Sequence, residues 1–216
     1  MIVKHKNLPE ISELEKCLYA QAILYIILID NIEERYIKKL ESKNEQESVF
    51  LFDDYSSDGM LIVFSSNACI ILGFDHEFCD FKKHPELYGE LPSSLYDLLN
   101  QAENAGHNRE EDFMFCVWRE SISSDWYKKS IHDNVGEEYD ADEYTDFSNL
   151  ISNIYSSAED FIENAWFKRC KGLPLSGVKQ VYAGEKITEK IIGEINPERD
   201  VNEVLMEVDK ILLEKR

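Results

Sequence analysis

A chain of 216 residues with 44% hydrophobic and 12% aromatic side chains has ample material for a core, which excludes a disordered chain. Folded as one body it would have a radius of gyration of about 17 Å and bury about 70% of the surface its unfolded form exposes, so its stability needs neither disulfides nor a structural metal. Its 43 Asp+Glu against 23 Lys+Arg give a formal charge of -20, a field that repels nucleic acid and anionic membrane and favours encounter with a basic protein.

The run 17–29 is apolar except for Gln21. It is shorter than the roughly 20 residues a membrane span needs. Asp30, Glu33 and Glu34 follow it without a small-residue cleavage site, so it is a poor signal peptide and reads as a buried helix. Ser12 and Glu15 make a capping-box pattern that predicts this helix over 13–29. Ile32, Tyr36, Ile37 and Leu40 keep helical spacing and predict a second, more exposed helix over 31–43. A β-rich stretch comes next. Residues 49–52, 60–64 and 68–74 read as strands, the last two joined as a hairpin through Ser65, Ser66 and Asn67. Residues 113–118 form a third clear strand, and 125–128 pair with it across the 120–124 turn. Continuous apolar runs mean strands covered on both faces, so helices should pack on the sheet. One such helix is predicted over 93–105, after Pro92 and ending at Gly106.

Residues 133–146 hold seven acidic side chains and no basic one, the signature of a solvated loop or linker and the one place where two lobes could divide. The chain is otherwise read as a single α+β domain over 1–216. After Phe147, the spacing of Leu150, Ile154, Phe161 and Ala165 predicts one long helix, closed by Gly172 and Pro174. Residues 178–182 read as a last strand. Two more helices follow. One covers 188–195 and stops at Asn196-Pro197; the other is capped by Asp200 with Glu203 and buries Val204, Leu205, Val208, Ile211 and Leu212.

The five cysteines (Cys17, Cys69, Cys79, Cys116 and Cys170) are an odd set without CxxC spacing, which suits a reducing, cytoplasmic setting. The segment Gly73-Phe74-Asp75-His76-Glu77-Phe78-Cys79 carries the most chemistry. His76, Glu77, Cys79 and His84 are zinc-ligand types, though at no standard spacing. Cys79 with His76 or His84 has the elements of a thiol nucleophile, although the surrounding negative charge raises a thiol pKa. The other reading of the segment is a strand-end cap, with Asp75 bonding loop amides and His76 packed. No phosphate-cradling glycine loop, nucleophile elbow or zinc-binding HExxH helix is present, so no catalytic residue is assigned and no cofactor is expected. Trp118 and Trp126 flank the 120–124 turn, either as a cross-strand pair or, with Arg119, as a surface anchor. Tyr139 and Tyr144 lie among carboxylates including Asp140 and Asp142, where aromatics could anchor and charge could steer a basic groove.

The run Gly73-Phe74-Asp75-His76-Glu77, then Pro85, Gly89-x-Leu91-Pro92, Phe113-x-Phe115-Cys116-x-Trp118 and Trp126, resembles a group of uncharacterised bacterial proteins of a kind that includes immunity partners of polymorphic toxins. The resemblance covers about the middle third of the chain and carries no active site onto it. It implies an acidic protein that neutralises a basic toxin. The expectation is therefore an α+β domain, with an antiparallel or mixed sheet of four to six strands packed against helices and helices at both ends. Its role is non-enzymatic binding of a basic protein, and its interface residues are Asp75, Glu77, Trp126, Tyr139, Asp140, Asp142 and Tyr144. The alternative is a small hydrolase or metal-binding protein centred on His76, Glu77 and Cys79, with His84 as a further ligand.

Overall fold

Near-continuous apolar runs can be hidden only in a sheet covered on both faces, and the chain builds such a sheet. The computed structural model describes residues 3–5, 8–42, 44, 47–53, 55, 58–74, 84–104, 113–131, 150–165, 170 and 172–213. Among them, seven strands form one antiparallel sheet: β1 Val3–His5, β2 Ile37–Leu40, β3 Ser48–Asp53, β4 Gly59–Ser65, β5 Ala68–Phe74, β6 Phe115–Glu120 and β7 Trp126–Ser130. The order across the sheet is β1-β7-β6-β5-β4-β3-β2, a meander from β2 to β7 with β1 added beside β7. The hairpin turns of β4–β5 and β6–β7 sit at one end of the sheet, tied by a bond from the Ser121 N–H to the Asn67 carbonyl.

Period-two alternation divides the strands between two cores. Phe50, Ile62, Ile71, Phe115, Val117 and Trp126 face one side, where they meet the helices α1 Ile11–Leu28, α3 Ala158–Asn164, α4 Leu175–Tyr182, α5 Glu189–Ile195 and α6 Val201–Leu213. Val49, Leu61, Val63, Ile70, Leu72 and Trp118 face the other, which is covered by α2 Tyr96–Asn104 and the 3-10 turns Pro85–Leu87 and Ser93–Leu95. Gly73 leaves room for an aromatic ring across the sheet: it pairs with Phe115, and a Cβ there would lie 1.8 Å from that ring. Residues on both sides of the 133–146 stretch share the first core.

α1 is the central element. Its N-terminal end is held at β6 and β7, where the Trp126 indole N–H donates to the Pro9 carbonyl (2.9 Å) and Arg119 pairs with Glu10 (2.6 Å). Its other end leads to β2 at the opposite edge of the sheet. All of its residues from Cys17 to Leu28 are buried. No helix among the described residues is long and apolar enough to cross a membrane.

The α+β class, the antiparallel sheet and the helices toward both ends agree with expectation; the sheet is one strand wider than the upper end of the expected range, because of the three-residue β1. Four element assignments change. The 31–43 helix is instead a 3-10 turn, Ile32–Glu34, followed by edge strand β2, because Ile37 and Leu40 pair with β3. The capping box at Ser12 does not form, since α1 begins two residues earlier with Glu10 at its N-cap. The long helix after Phe147 is broken: Ser157 accepts from the Asp160 N–H while the Asp160 carboxylate accepts from the Ser156 N–H, and this reciprocal cap starts α3 afresh. Residues 178–182 belong to helix α4, not to a strand. Finally, Leu212 on α6 is exposed, whereas Val204 and Val208 are buried as expected.

Candidate functional site

A helix end leaves carbonyls without intrahelical donors, and its negative pole favours cations. At the C-terminal end of α1, side chains from distant parts of the sequence supply both. Arg35 Nε donates to the Ile29 carbonyl (2.9 Å) and its Nη2 to the Asp30 carbonyl (2.9 Å). Asn196 Nδ2 donates to the Ile27 carbonyl (2.9 Å), and Arg199 Nε reaches the Ile26 carbonyl (3.4 Å). Glu207 of α6 takes Arg35 in a two-pronged pair (2.5 and 3.1 Å) and also accepts from Arg199 Nη2 (3.2 Å). Arg199 Nη1 completes the cluster with Asp30 (2.7 Å) and Glu203 (2.9 Å). Both guanidinium side chains are almost fully buried, so the two cations serve the helix end rather than the surface.

What remains facing solvent is anionic. A recess of about 510 Å³ opens beside Arg199, with Leu28, Leu173 and Ile195 as its apolar floor. Asp30, Glu198, Asp200 and Glu203 line its rim, and all four residues are exposed. No thiol, hydroxyl or imidazole is among the described side chains that line it. Ile32, in the turn after Asp30, and Tyr55 are exposed apolar groups. Tyr55 is the one described non-glycine residue with a left-handed backbone (φ 62°). Its hydroxyl donates to the Arg35 carbonyl (2.8 Å), its ring meets Tyr36 edge-on, and Lys38 Nζ sits 5.4 Å from the ring centroid. Burial, with Asp53 close by, pushes the Tyr55 phenol up from its ordinary range. An anionic recess with an apolar floor can hold a lysine or arginine, its stem on the floor and its charge at the rim.

Of the residues singled out from sequence, Asp75, Glu77, Tyr139, Asp140, Asp142 and Tyr144 lie outside the described residues, as do His76 and Cys79. Trp126 is corrected: at 2% exposure it is a core residue facing α1, so it is not available as a surface anchor. It does not pair with Trp118, which faces the other side of the sheet and stacks on Tyr127. His84 Nδ1 is 2.8 Å from the Glu86 carboxylate, and that hydrogen bond holds the Glu86 carboxyl below its usual range. Among the described residues, no three His, Cys, Asp or Glu side chains are grouped to hold a metal. Cys69, Cys116 and Cys170 are buried, and desolvation raises each thiol, that of Cys170 to about 12.

The arginine cluster and the recess carry no local sequence signature, because Arg35 and Glu207 are 172 positions apart. Comparison of the chain with protein-family models, with curated proteins and with solved structures finds no match.

Proposed function

We propose that this chain is a non-enzymatic binding domain that docks a basic protein on the anionic recess at the end of α1. The observation that supports this most directly is the excess of carboxylates in the recess: Asp30, Glu198, Asp200 and Glu203 line it with Arg199, which is 6% exposed and pairs with Asp30 and Glu203, as the one cation of the lining. The overall charge of -20 adds long-range steering toward the same partner. An immunity protein that neutralises a basic bacterial toxin in the cytoplasm is the form of this role that the sequence resemblance implies.

A lysine-rich peptide with interspersed leucines, titrated by calorimetry, tests the surface. Asp30→Lys and Glu198→Lys should each weaken binding about tenfold, and high salt should weaken it further. Asp97→Lys makes the same charge change on α2, on the far side of the sheet, and should have little effect. If all three reversals weaken the peptide equally, only net charge is at work and the recess is not a site.

A further inference from the structure

The outward face of α6 is not the charged face that an amphipathic surface helix normally turns to water. Val204 and Val208 bury its inner side, with Val201 and Ile211 packed beside them. Away from them the helix exposes Met206 (69%), Leu213 (61%) and Leu212 (37%), more large apolar side chains than any other described element leaves in solvent. At helical spacing, Leu205 and Leu212 form one row and Met206 and Leu213 a second, the members of each row seven positions apart. Asp209 is exposed between the two rows, three or four positions from each of the four side chains. No described group bonds its carboxylate. The patch runs over about two turns, roughly 12 Å.

We infer that this face of α6 docks an amphipathic helix that carries one arginine or lysine in the middle of its apolar face. A contiguous exposed apolar patch with a polar rim marks an interaction surface, and side-chain rows along a helix are what a second helix packs against. Asp209 decides which helix. A wholly apolar one would cover the carboxylate without a partner, and an unpaired buried charge is costly. A second copy of α6 crossing at this point would set Asp209 against Asp209, and the repulsion would oppose the pairing. A cation there would instead be ringed by apolar contacts that exclude water, the setting in which a charge pair counts most. A lipid surface does not fit. Helices that lie on membranes are rich in lysine and arginine on their polar side, whereas α6 carries Glu203, Glu207 and Asp209 against Lys210. The inference does not rest on the recess at the end of α1, because this face takes its main contact from apolar side chains and needs a single cation.

A helical peptide of about three turns, with leucines along one face and one arginine centred among them, tests the inference when titrated into the isotopically labelled chain by NMR. Saturable shifts should concentrate at Leu205, Met206, Asp209, Leu212 and Leu213. The same peptide with glutamate in place of the arginine should bind about tenfold more weakly. Asp209→Lys should reverse that order, and Met206→Ser should weaken the arginine peptide about fivefold. Both positions are exposed, so neither change should move the unfolding midpoint by more than a few degrees. Asp97→Lys, on the far side of the sheet, should alter binding of the arginine peptide less than about twofold. Shifts scattered over the surface, equal binding of the two peptides, no reversal by Asp209→Lys, or an equal loss from Asp97→Lys would each overturn the inference. So would a dimer in sedimentation that Met206→Ser dissociates, or co-sedimentation with phosphatidylcholine vesicles that it abolishes, since either would show a different occupant.

Discussion

Replacing Arg35 by Met tests whether the cluster at the end of α1 holds the helical layer to the sheet. The substitution keeps an apolar stem of similar length and removes the guanidinium, whose hydrogen bonds go to the Ile29 and Asp30 carbonyls and twice to Glu207. Breaking a buried ion pair from one side costs about 3–5 kcal/mol, because the partner is left uncompensated. Glu207 is partly exposed and keeps its bond from Arg199 (3.2 Å), so water and the second arginine recover part of the loss. The two carbonyls have no such substitute, and the expected cost is about 3 kcal/mol. For a chain of this size that lowers the thermal midpoint by about 6–12 °C. Arg35→Lys should recover little, since one ammonium cannot reproduce the fork. Glu207→Gln alone should cost about 1 kcal/mol. Urea unfolding followed by tryptophan fluorescence gives all of these, and the Arg35→Met/Glu207→Gln double variant should show a coupling of about 1–2 kcal/mol. A single-variant cost below about 1 kcal/mol, or strict additivity, would falsify the idea that this pair fastens α6 to α1.

Trp126→Phe should destabilise by about 1–2 kcal/mol, for the lost indole bond to Pro9, and Trp126→Ala by about 3–5 kcal/mol for the emptied core, both read by circular dichroism; a surface anchor would show neither. Gly73→Ala should cost about 1–3 kcal/mol because the Phe115 ring must leave the space a Cβ needs, and a neutral result would refute the close contact. Cys17, Cys69, Cys116 and Cys170 are buried, with thiol pKa values raised mainly by desolvation, so alkylation of the native protein should leave all four unmodified. Mass spectra showing two or more adducts before unfolding would contradict that. Glu47 is buried with Oε2 unpartnered, and burial raises its carboxyl pKa. A raised carboxyl favours the folded state when protonated, so its ionised form weakens the fold above the carboxylate range and ceases to do so as pH falls through it. Glu47→Gln should therefore gain stability relative to wild type at pH 7 and lose that advantage in acid; urea midpoints showing the same difference at both pH values would count against the assignment.

The parts of the fold that were legible are those where local and tertiary preferences agree. The β4–β5 hairpin is apolar on both faces and broken by Ser-Asn, and α5 opens on Thr188, whose hydroxyl accepts from the Ile191 N–H. Where they disagree, the sequence misleads. Ile32, Tyr36, Ile37 and Leu40 keep helical spacing, yet drawing Arg35 into the α1 end and pairing Ile37 with Phe52 requires extended backbone. Val178, Val181 and Tyr182 look strand-forming by residue type, but their i, i+3, i+4 spacing was the better signal, and α4 buries both valines. Leu150, Ile154, Phe161 and Ala165 keep helical spacing across a break that Ser157 and Asp160 mark by capping α3 anew. The recess could not be read at all. Its rim is assembled from Asp30 and from residues 198–203, and only the fold brings them together.

Composition also understates how negative the surface is. In the ion pairs that arginine makes between distant parts of the chain, the cation is the buried member: 4% exposed for Arg35 against 32% for Glu207, 7% for Arg119 against 68% for Glu10, and 6% for Arg199 against 81% for Asp30. The asymmetry has a physical cause. A guanidinium has several donors on a long apolar stem, so it can satisfy main-chain carbonyls inside the protein while packing its methylenes, whereas a carboxylate only accepts and is better left in water. Each such pair hides a positive charge and displays a negative one, and the field a partner meets at close range is more acidic than 43 against 23 implies.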